Sequence, residues 1–522
     1  MGRKHKKHKR QKRDRNMENG TMGEKINSNI VHKEIGMNGK TKTSILEVVS
    51  TEESEDEKLI DLDSDEVDCT IIEDDIDLEE LMKQKKMALR KIKARQIFDS
   101  RGEPTLEVDV ITDIGLFRSS VPSTVLLNPN QAREIRDENM MAYHGRSVFK
   151  VVDIINNVIA PQLIKSKLEV CQQTEIDELL NKLDGTENKS RLGVNAILGV
   201  SVACCKAGAA KKGLPVYRYI AELAENNKLC IPVPSFSMIN GGRYAGNNLL
   251  YQEFMILPIG AENFADAVKM ATEMYRILER KIITAKQIQG PLLINDNGAF
   301  APDLENDEIA LTFLDASIRD AGYEGKIKIA LDVAASAFYK KGKYDLAFKI
   351  KDSDPTNYLE AEALRDQYLR YLSKFPAIFS IKDPFDQEDW NSWLMIAHQG
   401  IQVVSDDLTA MNIERIEEAM NRNIANCLVL RISQIGTVTE VINCAKMAII
   451  NNWSYIMSAS QGETEDNFIA DLAVGLSAGQ FKAGAPCRGE RMSKYNQILR
   501  IEEELGKDAK YVGTKYQNPL MK

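Results

Sequence analysis

The pattern of apolar and polar positions turns globular only at about residue 88. Strand-like runs cover 106–112 and 116–121, with Asp113, Ile114 and Gly115 between them as a hairpin turn. Helical periodicity follows over 148–213. Strands first and helices after predict a small α+β domain over 88–228.

Beyond Pro232 the pattern repeats. Ile329-Ala330-Leu331 ends at Asp332, and Ile378-Phe379-Ser380-Ile381 ends at Lys382. Val403-Val404-Ser405 ends at Asp406, Leu428-Val429-Leu430 at Arg431, and Tyr455-Ile456-Met457-Ser458 at Ala459. The last four ends lie 24, 25 and 28 residues apart, with helical stretches between them, clearest at 412–426 and 437–452. A strand, a helix and two loops need about this length, so the repeat predicts a parallel βα array. Residues 229–522 number 294, a size at which eight such units close into a barrel. Active sites of such barrels lie at the C-terminal strand ends, so these five polar or small residues are predicted to meet in one cavity.

Composition narrows the classes. The chain has 522 residues, 43% of them apolar, long enough for about three domains. No apolar run approaches the ~20 residues of a membrane span, so no membrane contact is expected. The eight cysteines are too few for a disulfide scaffold, none forms CxxC, and no histidine sits at metal-ligand spacing. A reducing compartment, cytoplasm or nucleus, is expected.

The net charge of −9 conceals segregation. Residues 1–87 hold 17 basic and 21 acidic residues, net −4, which leaves −5 for the rest. Within 1–16 nine Lys/Arg stand against one acid, and within 51–80 sixteen acids stand against one Lys. Like-charge blocks repel and stay solvated, so 1–87 is predicted to be a disordered tail. Its basic end has the composition of a nuclear address or a nucleic-acid arm, without the apolar stretch of a signal peptide. Its acidic part contains LIDLDSDE, in which Leu59, Ile60 and Leu62 are flanked by acids. That segment resembles a SUMO-interacting motif, which adds as a strand to a partner's sheet edge. Ser54, followed by Glu55, Asp56 and Glu57, is a candidate acidophilic phosphorylation site.

From about Ala94 to about Val512 the chain resembles an enolase. The stretches that carry the resemblance include FDSRGEPTLEV, LDGTENKSRLGVNAILGVSVA, DPFDQEDW, SDDLTAMN, QIGTVTE and GETEDNFIADLAVGL. The resemblance implies an α+β N-terminal domain on a modified (β/α)8 TIM-like barrel. It also implies conversion of 2-phosphoglycerate to phosphoenolpyruvate in glycolysis, with Mg²⁺, in a dimer. Glu107 and Arg500 match positions that pair across the family's subunit interface, so a homodimer or a heterodimer with another enolase is expected.

The matched positions do not carry the family's chemistry. Of three metal-binding acids, Asp332 and Asp406 remain, and the third is Lys382, whose ammonium offers no oxygen ligand. The lysine base is Arg431, which does not give up its proton. The acid partner is Asn297, an amide. The His-Arg-Ser run that grips substrate is Ala459, Ser460 and Gln461, and the histidine of GGSHAG is Tyr244. The lid serine is Leu126, with Thr124 and Asn128 at its glycines. Glu253 and Lys482 keep their expected identities. His144 and His398, the only histidines outside the tail, stand at no strand end. The sequence therefore predicts an enolase fold without hydratase activity, with Lys382 or Arg431 bridging Asp332 and Asp406 where Mg²⁺ would sit and Mg²⁺ binding weak or absent. The contrasting readings are an active hydratase and an anion-binding barrel with altered chemistry.

Overall fold

The computed structural model describes residues 89–124 and 128–520. It also describes two short paired strands, Glu34–Ile35 and Thr41–Lys42, in a separate unit spanning Met1–Asp74. The basic stretch, the segment around Leu59, Ile60 and Leu62, Ser54 and Leu126 lie outside the described residues.

Body strands β1 (Lys91–Phe98), β2 (Pro104–Thr112) and β3 (Gly115–Ser120) form an antiparallel meander. Thr112 and Gly115 are register partners, so Asp113 and Ile114 alone make the turn and Gly115 belongs to the strand. The 148–213 helical stretch is interrupted. Its main helices are α1 (Gln173–Asp184) and α2 (Val194–Lys211), preceded by a helix with a π turn at Ile155–Ile159. Helix α2 corrects the expectation that no run is apolar enough to cross a membrane, because its length and composition suffice. It is instead the core helix of this domain, packed on β2 and β3. Gly199 permits that packing, since a Cβ there would lie 2.6 Å from Val108 Cγ2.

The barrel strands are β4 (Val233–Asn240), β5 (Glu253–Leu257), β6 (Lys328–Asp332) and β7 (Ile378–Lys382), followed by β8 (Gln402–Ser405), β9 (Cys427–Leu430), β10 (Ser454–Ser458) and β11 (Gln480–Gly484). They close into one ring in which β11 pairs with β4. The expected eight parallel units are not what forms: β5 runs antiparallel to both β4 and β6. The segment 241–252 joins β4 and β5 as a hairpin connection whose only helical piece is the short turn Gly242–Tyr244. The two clearest predicted helices begin one residue later than expected, because Asn412 and Thr437 are caps. Asn412 accepts from Arg415 N, and Thr437 Oγ1 accepts from Glu440 N while its hydroxyl donates to Glu440 Oε2.

The meander domain meets the barrel most closely at one small residue, Gly462. Ser100 N donates to Glu463 O at 2.7 Å, and Ser123 and Gly462 bridge as an antiparallel pair. Asp99 accepts from the backbone N–H of Arg101 and Glu103 and from the Ser123 hydroxyl. Burial would raise the Asp99 pKa, but Ser123 and Arg101 hold it below the ordinary value. Glu107 faces Arg95 and Arg118 of its own chain, and Arg500 is exposed with its guanidinium on Gln497.

A Cβ on Gly462 would lie 2.5 Å from Arg101 Nη2 and closer still to Asp99 Oδ2 and Ser123 Oγ. Gly462→Ala should therefore destabilise the fold by about 1–3 kcal/mol, the usual range for overpacking. Gly246→Ala, with open space at the added methyl, should change urea denaturation far less. Equal midpoints for the two variants would contradict this account of the junction.

Candidate functional site

A cavity of about 350 Å³ opens at the C-terminal ends of the barrel strands, under Thr124, Asn128 and Gln131 of the meander domain. Strand register sets its floor. Asp332 is opposite Glu253 on β5 and opposite Lys382 on β7, while Ser458 is opposite Lys482. Side chains at matched register on neighbouring strands point to the same face, so these groups share the barrel interior.

Lys382 is the centre of the floor. Its side chain is only 4% exposed, and its Nζ lies 3.1 Å from Asp332 Oδ1, 2.8 Å from Asp383 Oδ2 and 3.0 Å from Asp406 Oδ2. The contact to Asp332 is an ion pair at that distance without hydrogen-bond alignment. Burial opposes charge on Lys382, but Asp332, Asp383 and Asp406 overcome it and hold its pKa well above the ordinary lysine value. Two further cations extend the cluster. Lys482 Nζ donates to Asp332 Oδ2 at 2.9 Å and to Glu253 Oε1 at 3.0 Å. Arg431 Nη2 donates to Asp406 Oδ2 at 2.8 Å.

The carboxyls respond in two ways. Asp332 and Asp406 are pushed up by burial, yet neighbouring cations hold both below the ordinary range: Lys382 and Lys482 for Asp332, Arg431 and Lys382 for Asp406. Asp383 and Asp407 go the other way. Burial, with neighbouring carboxylates, raises Asp383 and lifts Asp407 to about 7. Sequence reasoning passed over both. Asp383 takes a left-handed backbone, φ 46°, and its Oδ1 accepts from the backbone N–H of Asp406 and Asp407, each at 3.0 Å. It thus tethers the β8 end to the β7 end. The signal for both residues was adjacency to Lys382 and Asp406 in KDP and SDD.

The remaining predicted residues also border the cavity. Asn297 Oδ1 accepts from Asn240 Nδ2 at 2.7 Å and from Ala299 N at 3.1 Å, so the amide is engaged in holding its own turn. Ser460 N donates to Glu463 Oε1, and its hydroxyl meets that of Ser433 at 2.8 Å. Arg491, unremarked in the sequence, is buried and donates to the carbonyls of Ser460 and Gln461. It shapes that loop, and its Nε lies 3.6 Å from Glu490 Oε1. Burial raises the Tyr244 phenol to about 12, so it stays protonated at neutral pH. Ala459 contributes its methyl and a backbone N–H to Lys482 O. Among the described residues neither His144 nor His398 lines the cavity.

A base needs a lone pair, and Lys382, Lys482 and Arg431 all have pKa values raised above the ordinary, so each is protonated at neutral pH.

Two outcomes follow. Lys382→Met removes the one cation shared by three buried acids and should cost about 3–5 kcal/mol in denaturant unfolding, as stranding a buried charge does. Asp407→Asn tests the raised carboxyl. With a folded value of about 7, Asp407 favours folding fully only below the ordinary carboxylate pKa of ~3.9, and this is lost as pH rises through 7. The variant should gain melting temperature relative to the unsubstituted chain between pH 4 and 7 and hold the gain above. Asp332 and Asp406, with depressed values, act in the lower window in both proteins. A difference flat with pH would refute the assignment.

Comparison with known families agrees with this architecture. The profile described as "Enolase, N-terminal domain" matches residues 89–220, and that described as "Enolase, C-terminal TIM barrel domain" matches residues 228–520. The α+β meander domain, the closed eight-stranded barrel and these two matches together make the chain a member of the enolase family.

Proposed function

We propose that this protein is a non-catalytic enolase, a binding or scaffold protein in which the Lys382 ammonium takes the place of the family's Mg²⁺. The observation that carries the reading is the seating of Lys382 Nζ within 3.1 Å of Asp332, Asp383 and Asp406. Mg²⁺ requires near-octahedral oxygen ligands at roughly 2.0–2.1 Å. An ammonium already spans these acids, and a second cation there would meet its repulsion, several kcal/mol at short range and an effective dielectric of about 20. The residues therefore do not fit the ion.

The other changes point the same way. Arg431 stands at the base position, Asn297 at the acid position, and Ala459 and Ser460 where substrate would be gripped. Loss of a general acid or base alone typically costs 10²–10⁴-fold in rate, roughly. Pairing with a second copy or with another enolase, and residence in cytoplasm or nucleus through the charged tail, belong to the same proposal.

Purified full-length protein with 2-phosphoglycerate and millimolar Mg²⁺ should form no phosphoenolpyruvate above background, and Mg²⁺ should not shift its melting temperature. Lys382→Glu restores the third acid. It should melt below the unsubstituted chain without metal and recover when Mg²⁺ is added, still without turnover, because Arg431 and Asn297 remain. Turnover by the unsubstituted chain would overturn the proposal.

A further inference from the structure

The hairpin connection 241–252 is clamped from several sides. Lys349 Nζ donates to the carbonyls of Ala245, Asn247 and Leu249 at 3.2, 2.7 and 2.8 Å. Asp307 Oδ1 accepts from the backbone N–H of Leu250 and Tyr251 at 2.9 and 3.2 Å. Arg243 Nη2 donates to Ala337 O at 2.9 Å, and Asn295 Nδ2 donates to Tyr244 O at 3.0 Å. Gly242 turns the chain at φ 60°, where a Cβ would lie 2.9 Å from Gln252 Cα. Ala245, Asn247, Leu249, Leu250 and Tyr251 are all buried, so freeing the segment would leave buried carbonyls and amides without partners, which folded chains avoid.

What this clamp aims is Tyr244. In the closed ring of strands, the β4–β5 connection stands opposite the ends of β8 and β9. The Tyr244 phenol nevertheless interacts electrostatically with Asp407 after β8, with Arg431 after β9 and with Asp332 on β6, and it meets the Gln461 side chain beyond β10. All of these residues line the one cavity. A side chain rooted on one rim that reaches groups on the opposite rim lies across the opening. Beneath it the floor is nearly covered: the side chains of Lys382, Lys482 and Arg431 are 4%, 10% and 18% exposed. A protonated phenol adds no charge to that floor, and its hydroxyl can both donate and accept.

We infer that Tyr244 is a built-in stopper: its ring spans the barrel mouth from the β4–β5 connection to Gln461 and restricts the access of solutes to the charged floor. The closure is separate from the replacement of Mg²⁺ by Lys382, because it acts on entry and not on chemistry. A ligand of either charge must displace the ring before it touches Arg431 or Lys482. Lys349, which holds the segment that carries the ring, sets how readily the ring withdraws.

The test measures alkylation by iodoacetamide, mapped by peptide mass spectrometry on the full chain, at a thiol introduced by Ser458→Cys. Ser458 is buried and borders the cavity, its Oγ 3.4 Å from Arg431 Nη2. Rates are taken relative to Cys171, a half-buried thiol outside the cavity. Adding Tyr244→Ala should speed alkylation roughly tenfold or more, since access to a covered group follows the free energy of opening its cover. Equal rates with and without Tyr244→Ala overturn the stopper. If melting curves show that Tyr244→Ala does not fold, Lys349→Met takes its place. Three carbonyls then lose their shared donor, the segment loosens, and the introduced thiol should again react several-fold faster. An unchanged rate in that variant overturns the assignment.

Discussion

Everything at the mouth of this barrel depends on how buried carboxylates are kept from repelling one another. Asp332, Asp383 and Asp406 crowd one ammonium, with Glu253 and Asp407 beside them. Desolvated charges of one sign are costly, and pairing recovers that cost only when the geometry is close. The solution is an alternation of sign: Glu253, Lys482, Asp332, Lys382, Asp406, Arg431, each within contact of the next. The alternation crosses strands β5, β11, β6 and β7 and the ends of β8 and β9. It therefore rewards one register, since a one-residue slip would turn each of these side chains to the outer face.

The meander domain closes over this floor through contacts of the same kind. Asp177, buried at α1, accepts from the backbone N–H and hydroxyl of Thr439 in the first turn of the helix Val438–Ile450. A carboxyl at a helix N-terminus meets unsatisfied donors and the positive end of the dipole. Lys206 on α2 pairs with Asp466 at 2.7 Å. With the Gly462 junction, these contacts hold Gln131 against Gln434 across the two domains. The cavity wall is thus a property of domain docking as much as of the barrel.

Much of this was legible in the chain because strand ends are. The runs ending at Asp332, Lys382, Asp406 and Arg431 give both the array and its chemistry, since apolar strands must stop in polar residues where a barrel opens. The antiparallel β5 was not legible. Its pattern, EFMIL, is a buried strand like the others, and strand direction leaves no trace in apolar periodicity. Asp383 and Asp407 were missed for a different reason. They act from beside the strand ends, through a left-handed turn and backbone donors that only the folded path brings together. Arg491 sits on a helix far along the sequence, and nothing in its neighbours marks it as the support of the Ser460 loop.

A cation carried on a side chain differs from a bound ion in one respect that geometry alone does not express: it cannot dissociate. Its occupancy at the Asp332–Asp406 cage does not vary with the supply of free divalent ions. If Lys382 stands in for the ion as proposed, chelators have nothing to withdraw there. Where cation occupancy follows the medium, a barrel mouth can report on ionic conditions. On the proposed reading, with Lys382 in place of the ion, this one would be insulated from them.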